Sequence, residues 1–186
     1  MNKIVQMLLT LTIIGVISGG ALAMVNGWAD PLIEYNRKKA TEEAIFRVLP
    51  DAKTYEPVAG VPYELYETFD DTKNSTGYAL IYQGSGFSAA IRLMIGVKPD
   101  LQTITALEIL EQTETPGLGT KILEDEWRAQ FKDLPADPKV DWVKGVEPSK
   151  PNEIQAITGA TISSRAVVDI INAGMSELRA EKGGAQ

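Results

Sequence analysis

The stretch ITGATISSRAVV, residues 157–168, concentrates hydroxyl and small side chains where a helix is expected to begin. These residues are Thr158, Gly159, Ala160, Thr161, Ser163 and Ser164. Thr161 stands where an N-cap belongs, and Gly159 and Ala160 leave room for a large group to approach the backbone. Free N–H groups and the positive end of the helix dipole at such a terminus favour a bound phosphate.

The same stretch also has a plain structural interpretation. Thr is a good N-cap and Ser is tolerated in a first helical turn, so no ligand is required. A Walker phosphate loop is excluded, because the pattern G-x-x-x-x-G-K-S/T is absent. On these residues alone, the phosphate site and the ordinary helix start both stay open.

A second motif, ETPGLG, covers residues 114–119. Pro116-Gly117 suits a tight turn, and Gly119 permits close approach of a neighbouring group. Glu114 and Thr115 are able to hydrogen-bond a polar ligand. The alternative is an ordinary connection between a strand and a helix, which the spacing alone favours.

The composition narrows the chemistry. The chain has no Cys and no His, so disulfides, iron–sulfur clusters and catalytic Ser–His or Cys–His pairs are excluded. We predict no metal site and no catalytic side chain, and any redox chemistry must be carried by an organic cofactor. A net charge of −7 argues against a nucleic-acid partner, which would favour extended clusters of Lys and Arg, whereas the one basic run here is residues 37–39.

The amino-terminal stretch Ile4–Val25 contains no charged residue. As a helix it would extend about 33 Å at roughly 1.5 Å per residue, enough to cross a bilayer core, and Trp28 would anchor it at the interface. We predict a retained transmembrane anchor over residues 1–28. The alternative is a cleaved signal peptide, with Lys3 as its positive region and residues 21–23 as the cleavage site.

Asp30-Pro31 has the form of a helix start, and we predict a stalk helix over residues 29–50, ended by Pro50. Residues 51–186 are predicted to form the remaining domain. Strands are expected at residues 78–82, 87–97, 104–110, 140–145 and 154–157, and helices at 118–131 and 161–180. Ile122, Trp127 and Phe131 are candidate core residues of the first helix. The apolar set of the second helix keeps helical spacing and comprises Ile162, Ala166, Val167, Ile170, Ile171 and Leu178. The fold class predicted is α+β, an antiparallel sheet with flanking helices.

Together the two motifs resemble the FMN-binding domain family. Residues 158–163 match its flavinylation motif S/T-G-A-T-x-S/T, and residues 114–119 match its second signature. A membrane anchor followed by this domain is similar to the G subunits of Rnf-type electron-transport complexes. The C subunits of sodium-translocating NADH:quinone reductases share both motifs. The chain departs from the family in having Gln155 where an Asp is usual, and Gln112 and Thr113 where a His is common.

The resemblance implies covalent FMN, joined through its phosphate to the hydroxyl of Thr161. Gly159 and Ala160 would leave room for the nucleotide, and Ser163 and Ser164 would help to stabilise the phosphodiester. The resemblance places the ring against the ETPGLG loop. The expected ring contacts are Glu114, Thr115, Leu118, Phe87, Ser88 and Lys144.

The resemblance also implies a function, that of an electron relay in a ferredoxin:NAD oxidoreductase coupled to Na⁺ or H⁺ translocation. The domain would lie on the extracytoplasmic side of a prokaryotic cell membrane. Its partners would be the other membrane and redox subunits, and a separate flavin transferase would attach the FMN. Two alternatives stay open: the flavin subunit of a quinone reductase or another extracytoplasmic reductase, and a tethered binding module without flavin.

Overall fold

The computed structural model describes residues 2–183. The chain divides into two compact units, with the division between Thr41 and Glu42. Helix α1 (Lys3–Val48) begins in the first unit and ends in the second. Its most apolar window has a mean hydropathy of 2.2 and is fully exposed, so by length and composition it is able to cross a membrane. An amino-terminal signal sequence would have the same character.

The predicted helix start at Asp30-Pro31 is wrong, because Pro31 lies inside α1. A proline within a helix removes the hydrogen bond to the carbonyl four residues earlier, here that of Gly27, at a cost of about 3 kcal/mol or more. An acidic residue followed by proline is typical of a helix start, but a helix that accepts this cost can continue through it. The predicted end before Pro50 is confirmed, since α1 ends at Val48.

The second unit contains a six-stranded antiparallel sheet in which each strand pairs with the next along the chain. Its strands are β1 (Thr54–Pro57), β2 (Glu64–Phe69), β3 (Ser75–Ser85), β4 (Ala90–Val97), β5 (Thr103–Glu111) and β6 (Leu134–Pro135). The predicted α+β class and the antiparallel order are confirmed. Strands β1, β2 and β6 were not predicted, and β4 begins at Ala90, so Phe87 lies in the β3–β4 connection. A separate parallel pair joins β7 (Asp141–Lys144) to β8 (Glu153–Ala156).

The helix predicted over residues 118–131 is wrong. A 3-10 helix (Gly119–Leu123), the short helix α2 (Asp125–Arg128) and a second 3-10 turn (Ala129–Phe131) replace it, with an extended residue at Glu124. Ile122 and Trp127, five residues apart, would lie about 140° apart on one continuous helix at about 100° per residue. The break at Glu124 lets both side chains reach the same core.

The last helix, α3 (Thr161–Gly183), packs on one face of the sheet. Its buried stripe follows helical spacing through Val167, Ile171, Met175 and Leu178. Ile122, Trp127 and Phe131 join this core, as predicted. Of the apolar set predicted for α3, Ile162 does not join the core, because it is 58% exposed. The opposite face of the sheet is covered by Ala44, Ile45 and Val48 of the last turns of α1, and by Leu49, which follows the helix.

Candidate functional site

A cavity of about 290 Å³ lies beside the first turn of α3. Three segments distant in sequence form it: the β3–β4 connection, the connection that follows β5, and the turn into α3; the end of β7 closes it. Its lining residues are Phe87, Thr115, Leu118, Gly119, Lys144, Gly159, Ala160, Thr161, Ile162 and Ser163. Both sequence motifs therefore meet at one place. Of the predicted site residues, Glu114, Ser88 and Ser164 do not line the cavity.

Large apolar side chains border this cavity without being covered. Phe87 is 60% exposed, Leu118 is 48% exposed and Ile162 is 58% exposed. Exposed apolar groups gathered around a concavity are typical of a surface that binds an apolar ligand face. Ile162 was missed as a site residue because its apolar character in a helix suggested the core; its position beside the motif threonine was the available signal.

The three hydroxyl groups at the start of α3 have different surroundings. Ser164 is buried, where its Oγ donates to the carbonyl of Ala160 at 3.0 Å and accepts the N–H of Ile157 at 3.0 Å. Ser163 is buried and donates to Glu114 Oε2 at 2.6 Å. Thr161 is partly exposed, and its hydroxyl has no hydrogen-bond partner among residues 2–183. Thr161 thus presents the one hydroxyl of this set that is available at the cavity.

Glu114 is buried behind the cavity wall, at 4% exposure. Its Oε1 accepts the backbone N–H groups of Phe87 at 2.9 Å and Ser88 at 3.0 Å, and its Oε2 accepts the Ser163 hydroxyl. One carboxylate therefore connects the β3–β4 connection to the first turn of α3. A weaker contact runs parallel to it, 3.4 Å between Ser88 Oγ and Thr115 Oγ1.

Two glycines make space for the Glu114 carboxylate. A Cβ at Gly86 would lie 2.4 Å from Glu114 Oε1, and a Cβ at Gly119 would lie 2.8 Å from Oε2 and 3.0 Å from Ser163 Oγ. Gly119 was expected to permit a close approach, and the approaching groups are these two side chains. Gly117 serves a different purpose, since its φ of +74° is in the left-handed region that favours glycine.

Two positive groups face the cavity, while the Glu114 carboxylate lies behind its wall. Lys144 is the one charged residue among those that line it, and the amino terminus of the 23-residue helix α3 contributes a partial positive charge. Larger grooves of about 580 and 670 Å³ lie on the sheet around Arg92, but they contain neither motif. Size alone does not identify the site, whereas the meeting of the two motifs does.

The departure from the usual Asp at position 155 lies outside the cavity. The N–H of Gln155 donates to Gln130 Oε1 at 2.7 Å, and its carbonyl accepts from Trp127 Nε1 at 3.0 Å. Gln155 lines a neighbouring groove together with Thr158 and three glutamates, Glu124, Glu126 and Glu147. The substitution therefore leaves the cavity lining unchanged.

Comparisons with known proteins agree with the motifs. A family model described as FMN-binding domain matches residues 86–176. The G subunit of the ion-translocating oxidoreductase complex of Methanosarcina acetivorans is 30% identical over 98% of this chain and 98% of its own length. The G subunit of the proton-translocating ferredoxin:NAD⁺ oxidoreductase complex of Clostridium ljungdahlii is 31% identical over 98% of this chain and 96% of its own.

A solved structure shares the fold. The crystal structure of the C subunit of the Na⁺-translocating NADH-quinone reductase from Parabacteroides distasonis superposes with a TM-score of 0.61 at 20% identity. The match covers 77% of this chain and 92% of that one. At such identity the likeness concerns the fold alone, and the full-length relatives decide the family. The chain belongs to the family of G subunits of ion-translocating oxidoreductase complexes, which shares the FMN-binding domain with quinone-reductase C subunits.

Proposed function

We propose that this chain is the membrane-anchored flavoprotein subunit of an Rnf-type complex and carries FMN covalently on Thr161. The observation that carries the proposal is the Thr161 hydroxyl, which is without a partner among the described residues, stands at the opening of α3 and faces the cavity. The neighbouring serine hydroxyls are engaged within the protein. A phosphoester at Thr161 needs an accessible oxygen, and this side chain supplies one.

The cavity suits FMN in its polarity. Phe87, Leu118 and Ile162 offer apolar faces to a flat ring system, while Lys144 and the amino terminus of α3 favour a phosphate group. At about 290 Å³ the cavity is slightly smaller than the range for ligand sites, about 300–1,000 Å³. We therefore expect part of the flavin to remain accessible, as an electron carrier that exchanges electrons with neighbouring subunits requires.

The chemistry that bound flavin supplies is electron transfer in one-electron steps. The chain's own residues hold the cofactor, exclude water from one side of it and set the surrounding charge. We propose that the relay operates between ferredoxin and NAD within the complex, with Na⁺ or H⁺ as the coupling ion. A flavin transferase would load the FMN, and α1 would dock against other membrane subunits.

The alternative within the same fold is the flavin subunit of a quinone reductase. It is disfavoured by the two G subunits that match this chain over 98% of its length. Purification of the tagged chain in mild detergent would decide, because an Rnf-type assembly should reduce NAD⁺ with reduced ferredoxin, whereas a quinone-reductase assembly should reduce quinone with NADH.

Attachment is tested by replacing Thr161 with Val, which keeps the shape and removes the hydroxyl. The intact mass of the full chain, co-expressed with a flavin transferase, should show one FMN adduct in the wild type and none in Thr161→Val. The denatured wild-type band should fluoresce under ultraviolet light. Tandem mass spectrometry should assign the adduct to the peptide that contains Thr161.

Thr115→Val is the matched control, since Thr115 is the other threonine that lines the cavity. It should retain the full adduct mass. An adduct that survives in Thr161→Val, or disappears in Thr115→Val alone, would move the attachment point elsewhere. If the wild-type protein is colourless and has only its polypeptide mass, the proposal is refuted and the alternative of a tethered binding module without flavin is favoured.

The proposed side of the membrane can be tested with cysteines, because the chain has none of its own. Asp71→Cys places one thiol in the exposed β2–β3 connection, and Lys3→Cys places one at the start of α1. A membrane-impermeant maleimide added to spheroplasts should label the first and not the second until the cells are lysed. The opposite pattern would place the domain in the cytoplasm.

A further inference from the structure

We propose that Glu114 is a positioning residue, which fixes two walls of the cavity relative to each other and does not itself contact the flavin. This inference rests on the proposed function, because it concerns the geometry of the same cavity. It also replaces the expectation that Glu114 hydrogen-bonds the flavin ring. The argument depends on what its carboxylate contacts, on its burial, and on the glycines that surround it.

Both oxygens of Glu114 are engaged within the protein. Oε1 accepts two backbone N–H groups of the β3–β4 connection, at 2.9 and 3.0 Å, and Oε2 accepts the Ser163 hydroxyl at 2.6 Å. A carboxylate offers about four acceptor positions, so three are already taken. Glu114 is also absent from the residues that line the cavity. It is therefore placed to hold the wall, and the residues in front of it are placed to meet a ligand.

The carboxylate is held by neutral donors. Among the described residues, no Lys or Arg nitrogen lies within 4.0 Å of it. Burying a charge costs several kcal/mol, and charge-assisted hydrogen bonds have to offset that cost. Because an apolar side chain would fill the space at less cost, the carboxylate is better explained by the specific pairing it imposes than by stability.

That pairing determines the two walls. The carboxylate fixes the backbone of Phe87, whose ring borders the cavity on one side, and of Ser88 next to it. Through Ser163 it also fixes the first turn of α3, two residues beyond Thr161. The separation between the Phe87 ring and the attachment hydroxyl thus depends on one side chain. Gly86 and Gly119 enclose that side chain so closely that neither tolerates a Cβ without movement.

The test compares Glu114→Gln with Glu114→Ala in full-length protein. Glutamine keeps the size and removes the charge; its amide oxygen accepts from Phe87 and Ser88, and its amide nitrogen donates to Ser163 Oγ. If Glu114 acts through geometry, glutamine should therefore substitute for it. If it acts through its charge or by contact with the flavin, glutamine should be as damaging as alanine.

The first measurement needs no flavin and uses both variants in a Thr161→Val background. Amide hydrogen exchange at Phe87 and Ser88 should be about tenfold faster in Glu114→Ala, since the charged hydrogen bonds to these amides are lost, and close to the background rate in Glu114→Gln. Unchanged exchange in Glu114→Ala would overturn the proposal. This measurement tests the role of Glu114 whether or not Thr161 carries FMN in the wild-type chain.

The second measurement uses chains that retain Thr161. The fluorescence anisotropy and visible spectrum of the attached flavin should shift toward those of free flavin in Glu114→Ala and stay unchanged in Glu114→Gln. Glu153→Ala is the matched control, a buried carboxylate that binds Ser149 and Lys150 away from the cavity; it should destabilise the chain without altering either reading. A flavin signal altered equally by Gln and Ala would refute positioning, and a chain without flavin would refute the proposed function alone.

Should Glu114→Ala fail to fold, Ser163→Ala removes only the Oε2 contact. It should leave Phe87 and Ser88 exchange nearly unchanged while shifting the flavin signal, because one wall is released and the other is still held. An unchanged flavin signal in Ser163→Ala would also contradict the proposal.

Discussion

Two glycines of the ETPGLG loop are required for different reasons, and paired substitutions should separate them. Gly117 has a φ of +74°, and a Cβ added there would meet nothing within 4 Å, so only its backbone conformation restricts it. Gly119 has no positive φ, but a Cβ there would lie 2.8 Å from the Cβ and from Oε2 of Glu114. The first restriction is conformational and the second is steric.

The magnitudes follow from these contacts. Gly117→Ala should lower the free energy of unfolding by about 1–2 kcal/mol, the cost of a left-handed conformation for a residue with a Cβ. Gly119→Ala should lower it by about 2–3 kcal/mol, because either the packing strains or the Glu114–Ser163 hydrogen bond breaks. Comparing asparagine with alanine separates the two cases. Asparagine adopts left-handed φ more readily than alanine, so Gly117→Asn should destabilise the fold less than Gly117→Ala. Asparagine is also larger, so Gly119→Asn should destabilise the fold more than Gly119→Ala.

Urea unfolding of the full chain in detergent measures these differences. A Trp28→Phe background removes the exposed tryptophan of α1, which leaves Trp127 and Trp142 to report on the second unit. The test depends on the sign of the difference in unfolding free energy between the asparagine and alanine variants, not on its size. If asparagine is more damaging than alanine at Gly117, or less damaging than alanine at Gly119, the conformational and steric assignments are wrong.

Three further predictions concern charges. Glu108→Gln breaks a largely buried ion pair with Arg128, whose side chains are 16% and 17% exposed. It should lower the free energy of unfolding in urea by about 1–3 kcal/mol. A loss of less than about 0.5 kcal/mol would contradict this prediction. The Lys150 side-chain hydrogen bond lowers the Glu153 pKa from its ordinary 4.5 to about 2. The ionised Glu153 therefore stabilises the fold fully above pH 4.5, and this stabilisation is lost as the pH falls toward 2. In Glu153→Gln the urea midpoint of unfolding should change less with pH over that range. An unaltered pH dependence would contradict this prediction. Lys144→Gln should lower the midpoint potential of each one-electron flavin couple in spectroelectrochemical titration by about 40–90 mV, which corresponds to about 1–2 kcal/mol of lost Coulomb energy. A rise in the potential would contradict this prediction.

The parts of the fold that local pattern determines were predictable. Helix α3 has a continuous apolar stripe, and strands β3 to β5 have apolar runs separated by turn residues such as Lys98-Pro99-Asp100. Strand β1 was not predictable in this way, because it is a four-residue edge strand that ends in Pro57 and is mostly exposed. The helix predicted over residues 118–131 failed because two core side chains five residues apart had to be buried together, which is a tertiary requirement.

The candidate site was predictable as a pair of motifs. Which of their residues line the cavity and which form hydrogen bonds within the protein was not predictable. Carboxylates are seldom buried, so Glu114 suggested a surface contact to a ligand. Its actual partners lie 26, 27 and 49 residues away in sequence. Ser163 and Ser164 similarly suggested ligands for a phosphate, whereas their hydroxyls bond within the protein. No pattern in a single sequence specifies contacts of that separation.

Both motifs combine residues that face the cavity with residues that hold its walls in place. In the first motif, Thr115 and Leu118 line the cavity, while Glu114 points inward and Gly119 makes space for it. In the second, Thr161 and Ile162 line the cavity, and the hydroxyls of Ser163 and Ser164, which follow them, bond within the protein. Because the Glu114 carboxylate of the first motif accepts the Ser163 hydroxyl of the second, a change of spacing in either motif would displace one member of this buried pair. The motifs are thus constrained as a pair, which is a physical reason for them to occur together in one chain.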